Sequence, residues 1–505
     1  MSRAPRRLSR SVLWDLQRRY FDEQGVVAWN ESIVPQYVTT NPWIADAYAA
    51  VMSAWLRDLA SGGALAREAP LYIIELGCGS GRFGFHFLRR LVEELDRAPL
   101  RDLQVRYVYT DFTDATLDVL RSNVAVQPFV AAGRLEFARF DAGRDRTLQL
   151  DSGIVLEPST LRNPLAVIAN YVFDGLPQDV FRVSTGVLEE SLVRDDPDAR
   201  SVEEAITGWQ HRRADAASYY EERSWNEILE WYRVNLRRAA FVFPSAALRC
   251  LSHLHELSSG RLFVLSADKG SLHEEVIAGE REPELSFHGS VSMMVNYHAI
   301  GKWVERGGGE LLRPSLRTTS LTVAACLFGG GSWDETRLAF ARQIDRRGPD
   351  DFFALKQATQ QHYAAMTLEQ LLAWLRLSGW DHQIFLGCVS VLRERGRKAA
   401  PIEREQLRRA TRLVADSWFP LHEPPDLPFY AGALLLDLGY AADALELFGR
   451  SRELFGDDAT TLVQMALCCM HTGDRERASA YASEAVELEP ELELAREVMA
   501  QLRAT

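Results

Sequence analysis

A chain of 505 residues, 47% hydrophobic and 25% charged, is too long for one ordinary core and has the composition of a soluble protein of two or three domains. Its net charge of −13 argues against a dominant nucleic-acid surface, and no apolar run is long enough for a transmembrane helix. Six scattered cysteines without a C-x-x-C pair suit a reducing cytoplasm, and the eleven histidines form no metal-binding spacing.

The first residues, Met1-Ser-Arg-Ala-Pro-Arg-Arg7, are basic, lack the apolar stretch of a signal peptide, and read as a frayed tail. Residues 8–60 predict helices: Leu13, Leu16 and Tyr20 share one face, and Ile44, Ala47, Tyr48, Val51, Trp55 and Leu59 share another. Between them, Ile33 to Pro42 reads as an extended, proline-bounded segment, and residues 1–65 are expected to form a lid over the domain that begins at residue 66.

The most informative stretch is L-Y-I-I-E-L-G-C-G-S-G-R-F, from Leu71 to Phe83. An apolar strand, Tyr72–Leu76, runs into a glycine loop and then a helix carrying Phe83, Phe87, Leu88, Leu91 and Leu95. Further strands are predicted at Val105–Thr110, ending in Asp111, and at Leu135–Phe140, ending in Asp141. Ala166–Asn170 leads into Tyr171-Val-Phe-Asp-Gly-Leu-Pro177, and Arg261–Ser266 leads to Asp268-Lys-Gly270. Ser290–Val295, a helix over Tyr297–Arg306 and a strand over Leu321–Phe328 complete a domain at 66–330. The alternation predicts an open α/β sheet of five parallel strands, with its ligand at their C-terminal edge. Residues 184–238 interrupt it as a charged insertion with an aromatic helical stretch, Tyr219 to Trp231. That insertion is either a substrate-recognition element or a solvated surface.

From about Trp333 the chain reads all-helical, with a linker domain at 331–424 and a repeat region at 425–505. Leu438-Gly439, Ala444 and Phe448 are echoed by Thr472-Gly473, Ala478 and Ala482, a period of 34 residues. Two units, about 425–458 and 459–492, resemble tetratricopeptide (TPR) repeats, which bind peptides or partner proteins in a groove.

Gly79, Gly81 and Gly84 fit the dinucleotide pattern G-x-G-x-x-G. The strand, however, ends at Gly77, and the next strand-end acid, Asp111, lies 30 residues past Gly81 instead of about twenty. This layout resembles motifs I and II of class I S-adenosylmethionine (SAM) methyltransferases. The resemblance implies a Rossmann-like methyltransferase fold with SAM as cofactor. It places Glu75, Gly77, Cys78, Gly79 and Gly81 around the amino-acid end of SAM. It places Asp111 and Phe112 at the ribose, Asp141 and Ala142 at the adenine, and Asn170 beside the reacting methyl. The plainer alternatives are helix N-caps for Asp111 and Asp141 and a small packing residue for Cys78.

Asn170 to Pro177 is similar to the A-N-E-[FL]-[FL]-D-A-[LF]-P motif of the MidA-like methyltransferases, which include complex I assembly enzymes that modify a protein arginine. The likeness spans roughly residues 30 to 310. The family's Glu is Tyr171 here, so an acid that would handle a guanidinium is missing. Asp174 is the candidate to orient or deprotonate an acceptor, with Tyr171 and His288 behind it; a turn cap and a structural histidine are the competing roles. The expected function is a cytoplasmic SAM-dependent methyltransferase acting on a protein or peptide recruited by the TPR-like region. No metal, nucleic-acid or membrane partner is expected, and a homodimer is left open. The alternatives are a small-molecule methyltransferase whose repeats self-associate, and a non-catalytic assembly factor that binds SAM.

Overall fold

The computed structural model describes residues 4–30, 36–196, 198–274, 283–287, 289–315, 321–421 and 424–504. The chain forms two compact units, Met1–Asp351 and Phe352–Thr505.

A seven-stranded sheet organises the first unit. Its strands, in chain order, are β1 (Leu71–Leu76), β2 (Val105–Asp111), β3 (Leu135–Arg139), β4 (Leu165–Asn170), β5 (Leu262–Asp268), β6 (Glu310–Leu312) and β7 (Thr322–Leu327). They lie in the order β3-β2-β1-β4-β5-β7-β6. Strands β1 to β5 run parallel, and β7 runs antiparallel to both β5 and β6. Strands β1, β4 and β5 are near-continuous apolar runs because helices cover both faces of the sheet. The chain crosses between β1 and β4 at the centre of the sheet, so the loops after these strands open a crevice at the C-terminal edge.

Five parallel strands were expected, and the structure adds β6. That strand is three residues long and follows Gly307-Gly308-Gly309, too short to leave a pattern. The segment 290–295 is not a strand of this sheet. Val291–Ser292 pairs with Ser286–Phe287, and Val295–Asn296 pairs with Gly270–Ser271.

Helix α1 (Leu13–Gln24) lies over the C-terminal edge. The segment expected to be extended up to Pro42 contains a helical turn at Tyr37–Thr40 instead, and residues 31–35 lie outside the described residues. Helix α2 (Pro42–Ser61) starts with Pro42 at N1 and the Asn41 side chain accepting from Ile44 N at 3.1 Å. Trp55 of α2 stacks on Phe263 of β5, with ring centroids 5.0 Å apart. Asp58 of α2 accepts hydrogen bonds from Thr336 N at 2.9 Å and from Thr336 Oγ1. These bonds tie the helix Asp334–Phe340 to the first unit. Helix α3 (Arg82–Arg97) follows the glycine loop.

The insertion is a folded sheet, not a solvated loop. Asp179–Ser184, Val187–Asp195, Ile206–Arg213 and Arg238–Phe243 form antiparallel strands, with a helix over Arg223–Asn235. Phe181, Tyr220, Trp225 and Phe243 pack edge-on and stacked beneath it. The basic N-terminus is not frayed over its described part. Arg6–Arg7 forms the fifth strand, pairing with Val193 and Leu192. The Arg7 guanidinium bonds the buried Glu190 at 3.3 Å and lies over the Tyr219 ring at 4.2 Å.

The second unit is all-helical. Its C-terminal part has helices over Leu427–Asp437, Ala441–Phe455, Ala459–Thr472 and Arg475–Leu488, each packed on the next. Gly439 and Gly473 end the first helix of each pair with φ of +89° and +82°. Ala444, Ala478 and Ala482 are fully buried where the paired helices meet. The 34-residue period thus corresponds to two helix–turn–helix units.

Candidate active site

The loop after β1 turns on three left-handed glycines, Gly77, Gly79 and Gly81, at φ of +58°, +50° and +72°. A Cβ at Gly77 would sit 3.2 Å from Val172 Cγ2, so the loop backbone and the β4 loop face each other closely. Gly84 serves packing. A Cβ there would meet the Tyr109 ring at 2.3 Å and Glu75 Oε2 at 2.5 Å, so α3 lies directly on β1 and β2.

Asp111 ends β2 beside this loop. Its carboxylate accepts from Thr113 N and Thr113 Oγ1 at 3.0 Å each, and from Gly79 N at 3.4 Å. Burial pushes its pKa up against these bonds. Gly77, Asp111, Phe112, Asp141, Ala142, Tyr171 and Asp174 all line one cavity at the sheet's C-terminal edge. The other predicted positions lie elsewhere. Glu75 is buried under α3 and accepts from Tyr107 OH at 2.9 Å; burial pushes its pKa up to about 8. Cys78 is buried, its thiol raised well above the ordinary range by burial, and its N–H bonds Thr110 O at 2.8 Å. Asn170 accepts from Tyr48 OH at 3.0 Å, and its Nδ2 is buried without a partner among the described residues. His288 lies outside the described residues.

Helix α1 roofs the cavity with Trp14, Gln17, Arg18 and Phe21. Arg18 forms an ion pair with Asp141 and lies 5.2 Å from the Phe112 ring centroid. Gln17 Nε2 donates to Gly175 O at 3.0 Å, and its Oε1 is buried with no partner among the described residues. Sequence reading did not single out either residue. Their partners lie 123 and 158 residues further along the chain, and nothing local marks them.

Beyond β4, Tyr171 adopts φ of +52°, a conformation costly for a side chain of this size. It is held by its N–H to Ala267 O at 2.8 Å. Next to it stand two neighbouring buried carboxyl groups, Asp174 and Asp268. Asp174 faces the cavity, and Asp268 lies beneath it, accepting from Phe173 N at 3.1 Å. Burial raises Asp174 to about 6 and raises Asp268 further, because Asp174's charge opposes its ionisation. Asp268 is therefore the harder of the two to ionise, and Asp174, which faces the cavity, is the easier. Asp268 was not among the predicted catalytic residues. Its signal was available, since it ends β5 as Asp111 ends β2.

No protein-family model and no curated protein matches the chain. Among solved structures it is similar to a candidate methyl transferase from Burkholderia thailandensis bound to S-adenosyl-homocysteine. That match has 14% identity and a TM-score of 0.39, covering 60% of this chain and 80% of that one. A native protein of the same superfamily from that organism matches at 14% identity and a TM-score of 0.39, covering 66% of this chain and 95% of that one. Magnesium protoporphyrin IX methyltransferase from Synechocystis PCC 6803 matches at 12% identity and a TM-score of 0.29, covering 62% and 99%. Scores this low leave the site's own geometry as the ground for its chemistry.

Proposed function

We propose that the first unit is a SAM-dependent methyltransferase of MidA-like type. The carrying observation is the left-handed glycine loop bonded through Gly79 N to Asp111, with Gly77 and Asp111 opening onto a cavity whose far wall is the loop after β4. The fit is steric as well as polar: the backbone of Gly77 leaves room that a Cβ would fill. Asp111 would accept from the ribose hydroxyls, Phe112 and Ala142 would flank the adenine, and Asp141 would face its amino group once it shares Arg18. Bound SAM supplies an activated methyl on its sulfonium. The chain's own work is to align the acceptor with that methyl, exclude water and take a proton. The α1 roof excludes water. Asp174 takes the acceptor's proton, and Asp268, kept protonated by burial beside it, would donate to it and so position it.

With Tyr171 in place of the acid of the MidA-like motif, the acceptor is proposed to be a group other than a guanidinium. The paired helices of the second unit, TPR-like in their 34-residue period, are the proposed recruiter of a protein or peptide acceptor. Calorimetry of the full chain with SAM, repeated with Asp111→Ala, tests the cofactor. Micromolar binding weakened at least about tenfold by the substitution is expected, since a lost charge-assisted hydrogen bond costs about 1.5–3 kcal/mol. Absence of SAM binding by the folded chain refutes the reading. Deleting residues 425–505 should lower methylation of a peptide acceptor while leaving SAM binding intact; an unchanged acceptor KM refutes recruitment.

A further inference from the structure

A second pocket adjoins the cavity, sharing Trp14, Arg18, Arg144 and Pro177 with it. In a chain of net charge −13, its lining carries five arginines against two aspartates. Arg7 and Arg18 are committed to Glu190 and Asp141. Arg144 meets Asp15 at 3.0 Å in an exposed pair, which contributes little and is readily exchanged. The Arg10 guanidinium has no side-chain partner among the described residues, and Arg249 has only the Trp225 ring, at 5.8 Å. The other aspartate, Asp179, is already satisfied by Tyr220 OH at 2.7 Å and by Ser9 N.

The floor of this pocket is the start of helix α4 (Ser245–Leu257). The helix is 13 residues long, has no side-chain cap and no acid in its first turn, and so turns its positive end toward the arginines. Pro177 O takes the Ala246 N–H. Ser245 is 2% exposed, lines the pocket, and its hydroxyl has no partner among the described residues. With no partner among those residues and not sealed from solvent, the oxygen is available to a ligand in the pocket.

We propose that this pocket binds a phosphate group of the methyl acceptor, held by Arg10, Arg249, Ser245 and the α4 N-terminus while the acceptor's nucleophile reaches Asp174 past Pro177. Arginine forks, a hydroxyl and a helix start together match a phosphomonoester dianion better than a single carboxylate. Only the naming of the ligand as acceptor rests on the methyltransferase reading; phosphate binding itself does not.

The test is calorimetry of the full chain with inorganic phosphate at low ionic strength, with acetate as the carboxylate control. Phosphate should bind and acetate should not. Arg249→Ala and Ser245→Ala should each weaken phosphate about tenfold, Arg249→Lys less, with thermal melts unchanged. No phosphate binding, equal binding by the variants, or acetate binding as tightly as phosphate overturns the proposal. SAM titrated into the same samples separates the two readings, because SAM binding should be unaffected by Arg249→Ala. O-phosphoserine compared with a phosphoserine peptide then distinguishes the source. Equal affinities identify a small phosphorylated acceptor, and tighter peptide binding identifies a phosphorylated chain.

Discussion

Replacing Glu75 by Gln should stabilise the first unit, and by an amount that depends on pH. Glu75 is 4% exposed, and burial lifts its pKa from 4.5 to about 8. A raised carboxyl is protonated in the folded chain at pH 7 but ionised in the unfolded one. Its contribution to stability is therefore fully present below about pH 4.5 and is lost as pH rises through about 8. At pH 7 the loss amounts to about 3 kcal/mol, and at pH 5 to about 1 kcal/mol. Glutamine is near-isosteric, cannot ionise, and keeps an oxygen to accept from Tyr107 OH. Urea unfolding of wild type and variant at pH 5 and pH 7 measures the difference, and the second unit cancels from it. A variant no more stable at pH 7 than at pH 5, relative to wild type, would refute the protonated, buried state of Glu75.

Asp268→Ala should move the acid limb of the pH–rate profile for methyl transfer above its expected position near pH 6, because Asp174 loses the donor that favours its charged form; Asp268→Asn, which still donates, should leave the limb in place. Identical profiles for both variants would remove Asp268 as a positioning residue. Gly84→Ala should cost at least about 2 kcal/mol, read from a thermal melt, since its Cβ would overlap the Tyr109 ring and Glu75. Arg7→Ala leaves Glu190 buried with Arg212 and Tyr219 alone and should destabilise by about 2 kcal/mol. Limited proteolysis should then cut the N-terminal segment faster, and unchanged protection would show that the strand Arg6–Arg7 is not held by this pair.

The parallel core was legible because buried strands write themselves as apolar runs. Strands β1 to β5 and the acids Asp111, Asp141 and Asp268 sit where the pattern places them. The misses share a physical cause. Arg7, Gln17 and Arg18 acquire their roles from groups more than a hundred residues away, and polar side chains carry no periodicity that announces such partners. The insertion strands Val187–Asp195 and Ile206–Arg213 mix charge and apolar residues, because Glu190 and Asp195 are buried against arginines; a reading that sends charges to solvent turns such strands into loop. Glu75 shows the opposite limit. Its place in the motif was plain, but only the Tyr107 hydroxyl and the closeness of Gly84 reveal that its carboxyl faces the core.

The roof helix has a consequence for how the chain is made. Leu13–Gln24 leaves the ribosome early, yet Asp141, Gly175 and the strand that captures Arg6–Arg7 emerge more than a hundred residues later. Closing that roof is a long-range event that must wait for the insertion to be synthesised and paired. During translation the roof helix therefore waits for its partners, and until they emerge Leu13, Trp14 and Leu16 stay exposed to whatever apolar surface is at hand.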